Sequence, residues 1–514
     1  MSQKKQFIFN FMSSIAVFIS NVVINFFLTP YVLNKLGTEA YGFIGLVNSI
    51  VSYISVVTVA LNSLAGRYIT LAYHRGDMKK AKEYMTSVFF ANVVLASIVF
   101  ISSIYVTYNI AQLINVPEYL IGDVRITMVM AFANICFSLL SVVFSVAAFI
   151  KNKLYYNSFA SIVSVIIRII VICGGFFLFA PHIWYYTFSG LLSAVVLLCL
   201  QRVYTKKLTP KLKIGREYFR ISKIFEIVKS GVWISLESLN KILQTGLDLL
   251  IANLFVSTRA TGILSIAKTI PNILLQIPAL ISGIFNPQLA KLYAENKGEL
   301  LIERFKFSVR FLTFVMSVPL VGFLIFGMDF FKLWLSYKNA NELKAIYNVS
   351  ILTVIPLLCN AYVEGLYYAN TLTNKIKGSV VITFIFSIAS ISVEFLLLTS
   401  TEINPLYVIA GTSAVFMSIR NLIVTPYYCA WILGIPRSTF YIPLLKALGL
   451  SVIIGVVFKL LRNLWIMDNW LELIVLCGIC AMVGYTISFF ISFNQAEKRE
   501  VINLIKVRLK VKER

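Results

Sequence analysis

Histidine and charged residues are both scarce in this sequence. Only 2 of the 514 residues are histidines, His74 and His182, and two histidines in or beside predicted loops cannot form a metal site. Charged residues make up only 13% of the chain. The sequence contains no glycine-rich phosphate loop ending in lysine and no pair of catalytic carboxylates, so ATP hydrolysis is not expected. We therefore expect no catalytic residues, no metal, no cofactor and no enzymatic activity.

Cysteine is present, but it is confined to apolar stretches. All 7 cysteines lie in such stretches. Cys477 and Cys480 have the spacing of a redox pair, yet no histidine lies near them. Because they lie in an apolar stretch, we interpret these two cysteines as small side chains that face the protein core or the lipid.

Apolar residues in long runs are what the sequence has in abundance. Hydrophobic residues make up 59% of the chain and the mean hydropathy is +0.84, which no soluble domain of this length would tolerate on its surface. A helix needs roughly 20 residues to cross a bilayer core of about 30 Å, and such runs are too long for barrel strands. The sequence therefore predicts an all-α integral membrane protein. About 14 transmembrane helices are expected at 7–30, 41–65, 86–110, 125–149, 157–180, 183–203, 231–255, 260–286, 307–328, 345–369, 378–399, 404–433, 440–461 and 470–493.

The basic residues crowd into every second connection between these spans. Of the 46 lysines and arginines, 34 lie on the side of the two termini, 8 on the opposite side and 4 inside spans. The positive-inside rule then places both termini in the cytoplasm. The net charge of +24 is explained by topology, so nucleic acid is not expected as a partner.

A weak internal repeat divides the chain into two lobes. Ala40-Tyr41-Gly42 matches Ala260-Thr261-Gly262 at an offset of 220 residues, where Glu83 also meets Glu303. Because each half holds six spans, the two lobes form a parallel repeat related by an axis along the membrane normal. The predicted organisation is an N-lobe at 1–203, a cytoplasmic amphipathic linker at 204–230, a C-lobe at 231–433, two extra spans at 434–493 and a basic cytoplasmic tail at 494–514.

The linker has the pattern of a helix that lies on a membrane surface. Its apolar residues follow helical spacing and its basic residues face elsewhere, an arrangement that anionic lipid attracts. The apolar positions are Ile221, Ile224, Phe225 and Val228.

Charged residues inside a membrane are costly and usually face a protein or watery interior. One polar stripe is predicted along the span 231–255, because four side chains fall within roughly 60° of one another at 100° per residue: Glu237, Lys241, Gln244 and Asp248. The other intramembrane charges are Arg168, Lys268, Glu364, Glu394 and Arg420.

A water-filled translocation cavity accounts for these residues as a set. Glu237 and Lys241, one turn apart, could instead neutralise each other and hold helices together. The cations nearest the midplane suit an anion such as phosphate or pyrophosphate, because arginine offers a bidentate fork and lysine a point charge. The candidate substrate-binding residues are Arg168, Lys241, Gln244, Lys268, Arg420, Asn21 and Asn25. The candidate residues for coupling to a proton or Na⁺ are Glu237, Asp248 and Glu364.

The span pattern and the first turn between spans resemble a known family. The sequence from Leu28 to Phe43 holds Leu36, Gly37, Tyr41 and Gly42 in a Leu-Gly-x-x-x-Tyr-Gly pattern. This is similar to the polysaccharide-biosynthesis branch of the multidrug/oligosaccharidyl-lipid/polysaccharide exporter superfamily. The resemblance covers essentially the whole chain.

The resemblance implies a flippase of a bacterial plasma membrane. Its expected substrate is an undecaprenyl-pyrophosphate-linked oligosaccharide, the repeat unit of an O-antigen, capsule or exopolysaccharide. Flipping from the inner to the outer leaflet would occur by alternating access, driven by ions or by the membrane potential. The expected partners are this anionic lipid-linked sugar and membrane lipids, together with a polysaccharide polymerase and chain-length machinery.

Three alternatives stay open at this stage. A lipid II flippase also carries arginines in its cavity and ranks second. A cation-coupled multidrug antiporter ranks third, because the first span lacks the acidic coupling residue that such antiporters commonly carry. A non-transporting membrane scaffold would not explain the cost of the polar stripe.

Overall fold

A computed structural model describes residues 3–465, 467–495 and 497–499 of the chain. The described part is helical, with no strand in it. The predicted basic tail lies outside the described residues from position 500 onward.

Twenty α-helices follow one another in this part of the chain. They are α1 Gln3–His74, α2 Met78–Tyr108, α3 Ile110–Leu113, α4 Ile121–Ile150, α5 Tyr155–Leu178, α6 Trp184–Leu208, α7 Ile221–Lys241, α8 Asp248–Phe255, α9 Thr258–Ala267, α10 Thr269–Leu274, α11 Gln276–Ser282, α12 Asn286–Ala294, α13 Gly298–Trp334, α14 Ala340–Val363, α15 Tyr368–Leu372, α16 Ile376–Ser400, α17 Pro405–Ile419, α18 Thr425–Ile432, α19 Tyr441–Asn463 and α20 Trp470–Ser492.

The all-helical membrane fold is confirmed, whereas the count of 14 spans is not. By length and composition, 12 helices of the described residues could cross a membrane. One of these candidates, Met12–His74, is 63 residues long. With the non-helical Gly37 between its two helical stretches, it is long enough for the two crossings predicted within it. The α7–α8 region, where another span is predicted, is absent from the 12, so the number 14 stays a prediction.

Gly37 marks the point where the two predicted crossings in α1 meet. Its φ of 82° and ψ of 171° are not helical. L-residues with a side chain rarely adopt this conformation, whereas glycine does so at little cost. The first glycine of the Leu-Gly-x-x-x-Tyr-Gly pattern therefore has a structural reason, which is to turn the chain from one span into the next.

Residues 1–265 form one compact unit. Within it, α1 packs against α2, α4, α5 and α7, and α6 packs against α4 and α5. At the basic end of the helices, a core joins α1, α2 and α4 to the linker, with Ala65, Ile69, Val88, Val143 and Ile227 almost completely buried. The described residues from 266 onward form a second compact unit. There α13 contacts α14, α19 and α20, around a core that includes Phe305, Met316 and Phe458. The lobe boundaries predicted from the sequence stay a prediction.

The linker packs on α2, and its position at a membrane surface stays a prediction. Ile227, which is not part of the predicted apolar face, is completely buried in the core. Of the predicted face, Ile224 and Val228 pack against this core, while Phe225 is 66% exposed. Glu226 accepts hydrogen bonds from the hydroxyl of Tyr84 at 2.9 Å and from Nζ of Lys223 at 3.1 Å. The apolar face predicted from helical spacing is thus divided between the protein core and the exterior.

Candidate functional site

Arg168 lies in the middle of α5, where the sequence places the centre of a membrane span. Its guanidinium carbon is 4.5 Å from the centre of the Tyr186 ring on α6, a cation–π contact. Its Nε atom is buried and has no hydrogen-bond partner among the described residues. No carboxylate forms an ion pair with Arg168 in the described part of the chain. A buried donor without a hydrogen-bond acceptor, next to a charge without a counter-ion among the described residues, forms an environment that an anion would stabilise.

Asn21 and Asn25 lie on α1 at the same depth as Arg168. Two ring contacts align α1 with α5: Phe9 meets Tyr155 at 4.9 Å and Tyr31 meets Phe176 at 6.0 Å between ring centroids. Arg168 is thirteen residues after Tyr155, and Asn21 is twelve residues after Phe9. Both asparagines are half-buried, and Nδ2 of Asn21 donates to the Val17 carbonyl at 3.0 Å. The structure therefore brings three of the predicted substrate-binding residues to one level of the first unit.

A π-helix interrupts the predicted polar stripe. Residues 242–246, directly after α7, form this π-helix, and the Leu247 amide donates to the Ile242 carbonyl at 3.1 Å. Its wider turn rotates the residues that follow away from the regular 100° positions. Glu237 and Lys241 before it are exposed, while Gln244 and Asp248 are 7% and 3% exposed. The single stripe expected from a regular helix is thus split into an exposed pair and a buried pair.

The segment α7–α8 lies along the second half of α1. Near the basic end, the hydroxyls of Tyr68 and Ser230 are 2.9 Å apart. Further along, Ser235 donates to the Val56 carbonyl at 3.0 Å, and Tyr53 donates to the Gly246 carbonyl at 2.5 Å. The Gly246 carbonyl belongs to the π-helix, so this contact holds the interrupted part of the helix in place.

At the opposite end, positions of the predicted repeat touch each other. A methyl group at Gly42 would lie 2.7 Å from the Gly262 nitrogen, too close to be accommodated without movement. Gly45 lies equally tightly against the Ser265 side chain. Both pairs have the 220-residue offset of the repeat, and equivalent positions of two repeats meet where an axis relates them. This small-residue contact allows two helix backbones to approach closely.

Arg420 lies at a second π-helix, formed by residues 420–424 in the second unit. Its Nη2 donates to the Tyr367 hydroxyl at 2.9 Å and to Oδ1 of Asn421 at 2.8 Å. The Tyr367 hydroxyl in turn donates to Asn421 at 2.9 Å. Tyr367 and Arg420 line a small cleft together with Ser379 and Thr383. Such π-helices often occur at functional sites.

Two further candidates lie in the second unit at interruptions of helices. Glu364 begins the 3₁₀ turn that ends α14 and accepts from Nδ2 of Asn360 at 3.0 Å. Lys268 lies between α9 and α10 and is 8% exposed. Their burial agrees with a role inside the protein, while the role itself stays a prediction.

Sequence reasoning missed the aromatic and amide partners of the two arginines. The three partners are polar residues in apolar spans: Tyr186, Tyr367 and Asn421. This feature alone does not distinguish them, because many of the 26 tyrosines share it. Only their closeness in space to an intramembrane cation distinguishes them from the other polar residues of the spans. The described residues contain no cluster of three or more histidine, cysteine or acidic side chains that could hold a metal ion.

The chain is similar to known membrane proteins over nearly its whole length. A family model described as "polysaccharide biosynthesis protein" matches residues 32–337. The uncharacterized membrane protein EpsK of Bacillus subtilis (strain 168) is 27% identical over 506 residues, which cover 97% of both chains. Among solved structures, the lipid II flippase MurJ in an inward closed conformation has a TM-score of 0.68, with 14% identity over 96% of this chain and 100% of that chain. The MATE multidrug transporter DinF-BH has a TM-score of 0.62, with 13% identity over 83% of this chain and 97% of that chain. These two structures show the shared fold.

Proposed function

Because the chain belongs to the polysaccharide biosynthesis protein family, we propose that it flips a lipid-linked oligosaccharide across a bacterial plasma membrane. The proposed substrate is an undecaprenyl-pyrophosphate-linked repeat unit, which moves from the inner to the outer leaflet. The proposal agrees with the resemblance found in the sequence, which the family match confirms. It makes the protein a transporter that carries an anionic lipid and performs no covalent chemistry.

The observation that carries this proposal is the environment of Arg168. This cation lies in the middle of a span, stacked on Tyr186, with a buried Nε that has no partner in the described part of the chain. A charge kept inside a membrane at such a cost is usually functional. Pyrophosphate would supply the missing hydrogen-bond acceptor and the missing negative charge. Asn21 and Asn25, at the same depth, would offer amide groups to the ligand.

Arg420 provides the same chemistry in the second unit. Tyr367 and Asn421 hold its guanidinium in one orientation through hydrogen bonds of 2.8–2.9 Å. An oriented arginine recognises a planar or tetrahedral oxyanion better than a mobile one, because less rotamer entropy is lost on binding. We propose that Arg168 and Arg420 bind the phosphate groups, with Lys241, Gln244 and Lys268 as further polar contacts.

Alternating access requires the contacts of α1 with α7–α9 to open at one end at a time. On the topology that we propose, the Tyr68–Ser230 contact is cytoplasmic and the Gly42–Gly262 contact lies on the outer side. The π-helix at 242–246 falls between them along the chain. Interruptions of this kind allow a helix to bend, so the two ends could move separately.

Coupling to an ion gradient is proposed for the acidic residues near this break. Asp248, which is 3% exposed, directly follows the π-helix region, and Glu237 precedes it by one turn and a half. Protonation of such carboxylates would change the local charge balance near Lys241. Glu364 is the corresponding candidate in the second unit.

Substrate competition in proteoliposomes tests the proposal directly. We would measure leaflet transfer of a labelled undecaprenyl-pyrophosphate oligosaccharide by the full-length protein, with imposed proton or Na⁺ gradients. The expected result is protein-dependent transfer that unlabelled undecaprenyl-pyrophosphate oligosaccharide competes away and a cationic dye does not. Transport of the cationic dye without transfer of the lipid-linked sugar would contradict the proposal.

A lipid II flippase is the second candidate. The lipid II flippase MurJ shares the fold along 96% of this chain, so lipid II is the alternative lipid-linked substrate. The same assay with labelled lipid II distinguishes the two candidates. Faster transfer of lipid II than of several repeat-unit oligosaccharides would favour the second.

A further inference from the structure

A cavity in the second unit shares no residue with the proposed Arg168 and Arg420 sites and has no role in the proposed transport cycle. It is about 160 Å³ in volume and lies between α13, α19 and the end of α20. The polar part of its wall consists of Arg310, Thr313, Lys446, Ser492 and Asn494. Ile442, Pro443, Ala447, Ile491 and Phe493 form the apolar part.

Two polar atoms in this wall lack a partner. Nε of Arg310 and Oγ of Ser492 are buried and make no hydrogen bond within the described residues. Lys446 is exposed and forms neither an ion pair nor a hydrogen bond in the same part of the chain. Buried donors without partners are unfavourable, so a ligand with acceptor oxygens would satisfy them.

Carboxylates near the cavity hold Arg310 in place without neutralising the site. Nη2 of Arg310 donates to Glu497 at 2.5 Å and to Glu303 at 3.4 Å. Glu303 also pairs with Lys306 at 3.0 Å, and Lys498 lies beside Glu497 in sequence. With Arg310, Lys306, Lys446 and Lys498 against Glu303 and Glu497, the surroundings carry a net positive charge.

The position of the cavity indicates where its ligand resides. Arg310 and Lys446 lie near the ends of helices that the positive-inside pattern places at the cytoplasmic surface. Basic pockets between transmembrane helices on this side bind the headgroups of anionic lipids. The apolar part of the wall can contact the glycerol and the first acyl carbons that follow a phosphodiester. A free inorganic anion has no apolar group to contact it.

We propose that this cavity binds the phosphodiester headgroup of an anionic phospholipid of the cytoplasmic leaflet. Arg310 and Lys446 are the residues that contact the phosphate, and Ser492 donates a further hydrogen bond. The site is separate from transport, so its test measures binding and is independent of whether the substrate proposal holds.

The test is lipid titration of the full-length protein by native mass spectrometry. Wild type, Lys446→Ala and Lys459→Ala are each titrated with phosphatidylglycerol and with zwitterionic phosphatidylcholine. Lys459 is a matched control, because it is exposed on the same helix about 20 Å further along. Lys446→Ala should weaken phosphatidylglycerol binding about fivefold, which corresponds to the roughly 1 kcal/mol that one basic residue contributes near an anionic membrane surface. Lys459→Ala should bind like wild type.

Two results would overturn the proposal. Equal phosphatidylglycerol affinity in wild type and Lys446→Ala would exclude the site. Displacement of phosphatidylglycerol by millimolar inorganic phosphate would show a free-anion site in its place. Ser492→Leu, which fills the cavity without changing charge, should reduce phosphatidylglycerol binding as Lys446→Ala does.

Discussion

Single residues show how the protein keeps charge inside a membrane. Arg168 lies against the ring of Tyr186, and Arg420 donates hydrogen bonds to the Tyr367 hydroxyl and the Asn421 amide oxygen. Aromatic and amide partners orient a guanidinium while leaving its positive charge in place. This is the arrangement that a binding site for an anionic ligand needs.

The acidic residues beside the first π-helix carry a residue-scale prediction. We expect Asp248→Asn to weaken the dependence of transport on a proton or Na⁺ gradient, and Glu237→Gln to weaken it less. Asp248 is 3% exposed while Glu237 is exposed, so protonation of Asp248 changes the charge of the protein interior more strongly. The measurement is transfer rate against imposed gradient in proteoliposomes.

Glu402 provides the control for this series. It is an exposed carboxylate in the connection between α16 and α17, and Glu402→Gln should leave the gradient dependence unchanged. If both Asp248→Asn and Glu237→Gln behaved like Glu402→Gln, coupling would have to reside elsewhere.

At the scale of elements, the close contact of α1 with α9 carries the next prediction. Gly42→Ala places a methyl group 2.7 Å from the Gly262 nitrogen, so the helices must separate. Overpacking by a methyl group costs about 1–3 kcal/mol, which shifts the equilibrium roughly fivefold or more toward an opened contact. A cysteine at Thr261, which is 1% exposed, should then react faster with a membrane-impermeant maleimide.

Gly174→Ala is the matched control for Gly42→Ala. Gly174 lies in α5 with nothing within 4 Å of an added methyl group. Its substitution should not change the labelling rate at Thr261→Cys. Equal labelling in the Gly42→Ala and Gly174→Ala backgrounds would mean that the Gly42–Gly262 contact does not close this end.

The linker carries a pH prediction. Burial raises the pKa of the Glu226 carboxyl, but the hydrogen bonds from Tyr84 and Lys223 and the charge of Lys223 outweigh it, so the pKa is lowered from 4.5. A lowered folded pKa stabilises the docked linker above the ordinary carboxyl value and loses this effect as the pH falls through the lowered value. The protection factors of residues 221–230, which correct for the intrinsic pH dependence of amide exchange, should therefore be high at neutral pH and fall in acid below about 4.5.

Glu226→Gln separates this effect from general acid unfolding. The variant should show lower protection of the linker amides already at neutral pH. Its protection should also change less than that of wild type as the pH falls below neutral. Exchange equal to that of wild type across the whole range would show that Ile227 and the apolar contacts alone hold the linker.

At the scale of the whole molecule, much of the fold could be predicted from sequence and the fine structure of the site could not. Apolar runs of about 20 residues fix helical spans because nothing else satisfies the backbone in lipid. At Gly37 the backbone leaves the helical conformation between two predicted spans, and the apolar composition alone does not show the geometry of this junction. A regular 100° period also does not predict the π-helix at 242–246, which in the structure accepts a hydrogen bond from Tyr53 of α1 at the Gly246 carbonyl.

The candidate site shows the same division. Lysine and arginine are rare inside the predicted spans, so inspection of the sequence finds them directly. They are Arg168, Lys241, Lys268 and Arg420. Their surroundings depend on which helices are neighbours, and the pairing of Arg168 with Tyr186 follows from the packing of α5 on α6. Contacts of this kind require three-dimensional information.

Leaflet transfer of a labelled undecaprenyl-pyrophosphate oligosaccharide by wild type, Arg168→Ala and Arg125→Ala tests the central claim most directly. Arg125 is an exposed arginine on α4 that donates to the Tyr108 carbonyl at 3.1 Å, so its loss removes a cation outside the proposed site. We expect Arg168→Ala to reduce transfer about ten- to a hundredfold, the equivalent of roughly 1.5–3 kcal/mol for one charged hydrogen bond, at unchanged protein level in the membrane. Arg125→Ala should transfer like wild type. Normal transfer by Arg168→Ala would contradict the account.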